Sequence, residues 1–86
     1  MQIHQRWQEQ DGKLQAQLKC RDFNAAVKVI NDVAELAEAH NHHPDLCLHA
    51  YNRLTITLIS HDSGGVTERD YELAAAIDQL LGSDDA

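Results

Sequence analysis

Three histidines fall within four residues in the stretch HNHHP, residues 40 to 44, and they run directly into the only proline of the chain. A further histidine, His61, follows the alternating stretch RLTITLIS, and the carboxylates Glu38 and Asp70 complete the set. Imidazole titrates near neutrality, so two or three of them around one pocket give a proton at one atom and take it at another. A carboxylate beside them, Glu38 or Asp70, fixes a tautomer and stabilises an imidazolium. Zinc binding is the second chemistry open to these residues, because His40, His42, His43 and His61 all supply nitrogen. Yet HxHH matches no standard ligand spacing, and the chain has neither CxxC nor HExxH. The third reading is ordinary surface histidine, which suits His4, His40 and His49. No nucleophile is evident: Ser60 and Ser63 lack a recognisable elbow, and Cys47 stands two residues from His49. From types and spacing alone, a proton-transfer pocket, a metal site and a bland surface all stay open.

The elements that must carry these groups follow from periodicity. KLQAQLKC, 13 to 20, alternates without a break and predicts a half-buried strand. IHQRWQEQ before it is its expected partner, with Asp11-Gly12 as the hairpin turn. From Asp22, a suitable N-cap, the period changes to helical. Phe23, Ala26, Val27, Ile30, Ala34 and Ala37 are the expected inward face. A second stripe, Val29, Val33 and Leu36, predicts a subunit interface. Pro44 is expected to end this helix and to hold His43 extended, with Glu38 and His42 sharing the face of its last turn. LCLHAY and RLTITLIS read as two strands turning at Asn52. DSGGV is a loop. TERDYELAAAIDQLL predicts a second helix capped by Thr67, with Leu73, Ala76, Ile77 and Leu80 inward and Asp70 at capping-box spacing. The fold class is therefore α+β, in the order β-β-α-β-β-α: a four-stranded antiparallel sheet with helices packed on one face.

Composition limits the partners. At 86 residues the chain reads as one domain, 1–86, with a core over about 7–81. So small a fold buries only about 60% of its unfolded surface, which makes self-association an expectation. The formal charge of −7 and the scattered basic residues argue against direct nucleic-acid binding. No apolar run approaches the roughly 20 residues of a membrane span, and MQIHQRWQEQDGK lacks the apolar core of a signal peptide. Cys20 and Cys47 are too few for a disulfide framework and suit a reducing cytoplasm.

Taken together, the fixed points form a wider pattern. Glu38-Ala-His-Asn-His42-His43-Pro44, then Tyr51, His61 and Asp70 at their spacings, resembles the signature of the pterin-4a-carbinolamine dehydratases. The resemblance extends to DFN (22–24), YN (51–52), SH (60–61), GG (64–65) and TERD (67–70). It implies dehydration of 4a-hydroxytetrahydropterin to quinonoid dihydropterin, in support of aromatic amino acid hydroxylases, with no metal or organic cofactor. By motif position it implies His42, His43 and His61 as catalytic groups, with Glu38 and Asp70 orienting or tuning them. Asn41, Ser60 and Asp62 would contact the pterin, and Trp7 would stack on it. Dimers or tetramers built through the 22–41 helix and a sheet edge are implied as well. Leu46 departs from the tryptophan that members often carry there, and the chain starts almost at its first strand, where members usually have a leading helix. Both departures bear on pocket walls and oligomer geometry. The competing expectation is a non-catalytic binding, dimerisation or assembly factor on the same fold.

Overall fold

The computed structural model describes residues 3–60 and 65–82. Along the chain come β1 (Trp7–Gln10), β2 (Lys13–Lys19), α1 (Phe23–His40), β3 (Asp45–His49), β4 (Arg53–Leu58) and α2 (Glu68–Leu81). The strands form one antiparallel sheet in the order β1-β2-β4-β3. This is the expected α+β order. Its core is the inward row of every central strand (Leu14, Ala16, Leu18, Leu54, Ile56, Leu58) against Leu73, Ala74 and Ile77 of α2. Each fully buried Leu or Ile side chain contributes about 1.5–3 kcal/mol relative to exposure.

Both hairpins turn through the left-handed region. Asp11 and Gly12 have φ of 55° and 75°, and Gln10 pairs with Lys13, the two-residue turn that Asp-Gly favours. In the second hairpin the left-handed residues are Ala50 (φ 48°) and Tyr51 (φ 54°) rather than the expected Asn52. Asn52 has other work. It is buried, its amide donates to the Cys20 carbonyl at 3.0 Å, and its own carbonyl accepts from Cys20 N–H at 2.7 Å. The hairpin is thereby fastened to the end of β2.

The first strand is shorter than expected. Residues 5 and 6 form a turn, and the His4 amide donates to Asp78 Oδ2 at 2.8 Å, which draws the leading segment toward α2. The helical faces also differ from the expectation. In α1 the buried line is Ala26, Val29, Val33 and Ala37, at steps of three and four, while Phe23 is 52% exposed and Ala34 faces solvent. Val29 and Val33, expected at a subunit interface, are therefore core. Both stripes are apolar, so periodicity alone does not choose which one meets the sheet. In α2, Ala74 is buried and Leu80 is exposed.

The caps behave as their residue types dictate. Asp22 Oδ1 accepts from Ala25 N–H at 2.8 Å. That hydrogen bond, more than the neighbouring Arg21 guanidinium, holds the Asp22 carboxyl below the usual carboxylate range.

Candidate active site

The helix that carries Glu38 stops before the proline. Asn41 adopts φ 51° and ψ 44°, the left-handed conformation that asparagine tolerates better than most residues. The Asn41 amide then donates to the Glu38 carbonyl at 3.2 Å and the His42 amide to the Ala37 carbonyl at 3.0 Å. These two bonds are the Schellman pair, and they satisfy carbonyls that the helix end leaves open. Pro44 was expected to end α1; it lies instead four residues beyond His40, the last helical residue, where it feeds β3. The consequence is geometric. His42 and His43 leave a left-handed corner in succession, and they take different carboxylates.

His42 turns inward. Its Nε2 lies 2.5 Å from Asp70 Oδ1, with His42 8% exposed and Asp70 fully buried. The second oxygen, Oδ2, accepts from the Thr67 amide at 2.8 Å and from Ser60 Oγ at 2.9 Å. Ser60 and Thr67 hydroxyls are 2.6 Å apart. A hydroxyl has one proton to give, so with Ser60 donating to Asp70 the Thr67 hydroxyl must donate to Ser60. With Asp70 as the acceptor, the direction runs Thr67 to Ser60 to Asp70. Asp70 also sits in the first turn of α2, where the helix dipole favours a negative charge. A buried carboxylate held by this many donors has fixed geometry.

His43 turns outward. Its Nε2 is 2.5 Å from Glu38 Oε2, but the two side chains are 59% and 76% exposed. Glu38 and His42 were expected to share the face of the last helical turn; His42 instead lies past the left-handed corner, and Glu38 meets His43. In either pair the contact occupies Nε2. When the neutral imidazole donates from Nε2, Nδ1 is left as an acceptor. Among the described residues neither Nδ1 has a partner, so two imidazoles, one rigid and one solvent-facing, can exchange protons with a bound molecule.

The remaining candidates divide. Ser60 joins the buried network, and an isolated antiparallel bridge pairs it with Gly65. Asn41 is exposed at the corner, and its carbonyl accepts from Arg69 Nη2 at 2.7 Å. His61 and Asp62 lie outside the described residues. Trp7 is not brought to this cluster. It is 7% exposed in the core, and its indole N–H donates to Asp78 Oδ1 at 2.8 Å. Asp78 is eight residues beyond Asp70 on α2, about 12 Å along the helix. Two contributors escaped the sequence reading in these roles: the Thr67 hydroxyl, taken there only as a cap, and Arg69, which steadies the corner. The signal for Thr67 was its three-residue spacing to Asp70. Cys20 offers no nucleophile, since burial pushes its thiol up, with Asp22 adding to the effect.

The chain is similar to known proteins over most of its length. The sequence profile described as pterin 4 alpha carbinolamine dehydratase matches residues 1–80. A protein of Picosynechococcus sp., provisionally named pterin-4-alpha-carbinolamine dehydratase, is 42% identical over 74 residues, covering 86% of this chain and 79% of its own. A relative of the same provisional name from Chloroflexus aggregans is 46% identical over 74 residues, covering 86% and 78%. Among solved structures, a transcriptional coactivator/pterin dehydratase of Brucella melitensis superposes with a TM-score of 0.83 at 33% identity, covering 92% of this chain and 85% of that one. A pterin dehydratase-like RuBisCO assembly factor of the alpha-carboxysome shares the fold, with a TM-score of 0.76 at 24% identity over 94% of this chain and 95% of that one. With the family profile spanning nearly all its residues and the relatives agreeing over most of their length, the chain belongs to the pterin 4 alpha carbinolamine dehydratase family.

Proposed function

We propose that this protein, acting over its whole length as one domain, dehydrates 4a-hydroxytetrahydropterin to quinonoid dihydropterin and water. The observation that carries the reading is the buried His42–Asp70 pair, braced by Ser60 and Thr67 beside the exposed His43–Glu38 pair. The substrate loses hydroxide from C4a and a proton from N5. An imidazolium beside the 4a oxygen lets it depart as water, and a neutral imidazole or a carboxylate takes the N5 proton. Such general acid–base assistance is typically worth roughly 10²–10⁴-fold. In this reading His42, His43 and His61 exchange the protons, and Asp70 and Glu38 orient His42 and His43. Asn41 and Asp62 meet the pterin at the pocket rim, and Ser60 braces Asp70. Trp7, seated in the core, is given no substrate contact. No metal or organic cofactor takes part.

The rest of the reading follows from the same family. The protein works in the cytoplasm, supplying recycled pterin to an aromatic amino acid hydroxylase or other pterin-using enzyme. It self-associates through α1 and a sheet edge, and the stripe of Phe23, Val27 and Ala34 is the apolar surface α1 keeps for that contact. Among the described residues no helix is long and apolar enough to cross a membrane.

The test is the absorbance change of enzymatically generated 4a-hydroxytetrahydropterin with and without purified protein. Acceleration that vanishes in a His42→Ala, His61→Ala double variant is the expected result. A folded protein that leaves the spontaneous rate unchanged would sink the proposal. That outcome would turn the reading to binding or assembly, which the coactivator half of the Brucella relative's name favours.

A further inference from the structure

The outer face of the sheet carries a row of basic side chains across three strands. Register sets Lys19 of β2 opposite Arg53 of β4, and Arg53 opposite His49 of β3, with all three exposed. Neighbouring strands lie about 4.8 Å apart, so the row is roughly 10 Å long. Like charges directly opposite each other destabilise a sheet. The chain has 7 Lys and Arg against 14 Asp and Glu, so chance would sooner have set a carboxylate beside either cation. Three of the five other cations are set that way: Arg6 pairs with Asp78, Arg21 with Asp22, and Lys28 with Asp32.

These residues also line one hollow. Lys19, His49 and Arg53 share a cavity of about 200 Å³ with Gln17 and Thr55, and among the described residues no carboxylate is in its wall. His49 Nε2 lies 3.4 Å from Thr55 Oγ1, so imidazole and hydroxyl stand side by side. The cavity is below the roughly 300–1,000 Å³ that encloses a drug-sized ligand, and it suits one charged group of a molecule that otherwise stays in solvent. A carboxylate is satisfied by a single guanidinium. An ammonium, a guanidinium, an imidazole and a hydroxyl together answer a dianion with several acceptor oxygens.

We propose that Lys19, Arg53 and His49 bind the phosphate of a small phosphate monoester. The site stands at the far end of β3 from His43, about 20 Å along the extended strand. It is separate from the histidine site and does not depend on the dehydratase reading.

The experiment is a titration of the full-length ¹⁵N-labelled protein with methyl phosphate, at fixed pH and at ionic strength held constant with sodium chloride. Amide shifts at residues 17–19 and 49–55 are expected to saturate, while those at 41–43 stay in place. Arg53→Gln and Lys19→Gln should each weaken binding by about tenfold or more, the loss of one charge-assisted hydrogen bond, with an otherwise unchanged spectrum. Inorganic phosphate, titrated in parallel, should bind no more tightly than the ester, and acetate should bind far more weakly. Shifts that grow linearly without saturation would overturn the proposal. So would an acetate curve matching that of methyl phosphate, or binding of inorganic phosphate alone. The readout requires no turnover, so its failure would leave the dehydratase reading untouched.

Discussion

Two histidine–carboxylate pairs stand side by side with the same 2.5 Å separation, and they are not equivalent. In the His42–Asp70 pair the carboxylate is fully buried and its second oxygen is held by Ser60 and the Thr67 amide. In the His43–Glu38 pair both side chains are more than half exposed. Equal distance conceals unequal energy. A buried charge cannot turn to water when its partner leaves, whereas an exposed one simply rehydrates. The first pair therefore fixes an orientation, and the second leaves its imidazole free to reorient in solvent.

The comparison can be broken most sharply at Asp70. Asp70→Ala strands His42, Ser60 and the Thr67 amide in a dry site, and the expected cost is about 3–5 kcal/mol in urea denaturation. Next comes the chemistry. His42→Ala should lower the dehydration rate by roughly 10²–10⁴-fold in the absorbance assay, with stability changed far less than in Asp70→Ala. A loss smaller than tenfold would remove His42 from the proposed acid–base set. The corner that separates the pairs is a third lever. Asn41→Val puts a β-branched residue into the left-handed region and should cost about 1–2 kcal/mol by chemical denaturation, whereas Asn41→Gly stays close to wild type. Glu38→Gln is the smallest stability effect, within about 0.5 kcal/mol, because its pair is solvated. If Glu38→Gln instead rivalled Asp70→Ala in a melt, the contrast between the two pairs would be wrong.

Acid provides a control at the other end of the same helix. The Asp22 carboxyl is held low in the folded protein, first by the Ala25 amide and then by Arg21. Its contribution is complete above the ordinary carboxylate pKa and is lost as pH falls through the lowered folded value. Thermal melts of Asp22→Asn and wild type should therefore differ in how steeply stability falls in acid, with the variant losing less. The measurement isolates a cap from the two pairs, neither of which involves Asp22.

Much of this is legible in the amino-acid sequence. Strict alternation in 13–20 and 53–58 identified the central strands and their inward rows, because a period of two leaves no choice of face. The spacing Glu38, His42, His43 and Asp70 marked the candidate site, and the threonine three residues before Asp70 marked a cap without showing that its hydroxyl joins the network. Pairing was less legible. Whether Glu38 meets His42 or His43 depends on one left-handed residue, and Asn41 carries that conformation without any pattern around it. The orientation of α1 was hidden for a different reason. Two apolar stripes on one helix satisfy the same periodicity, and only packing distinguishes Val29 and Val33 from Phe23 and Ala34. The turn at Ala50 and Tyr51 runs against residue preference, held there because Asn52 is needed inside.

The hydroxyl chain beside Asp70 has one more consequence, concerning traffic. Thr67 donates to Ser60, Ser60 donates to Asp70, and the Thr67 amide closes on the same oxygen. Such a chain is directional. Every hydroxyl proton in it points at the carboxylate, so Asp70 Oδ2 is held as an acceptor and Oδ1 is left to His42. Among the described residues nothing bonds His42 Nδ1, and in the proposed reaction that nitrogen is where a bound pterin would meet the braced pair.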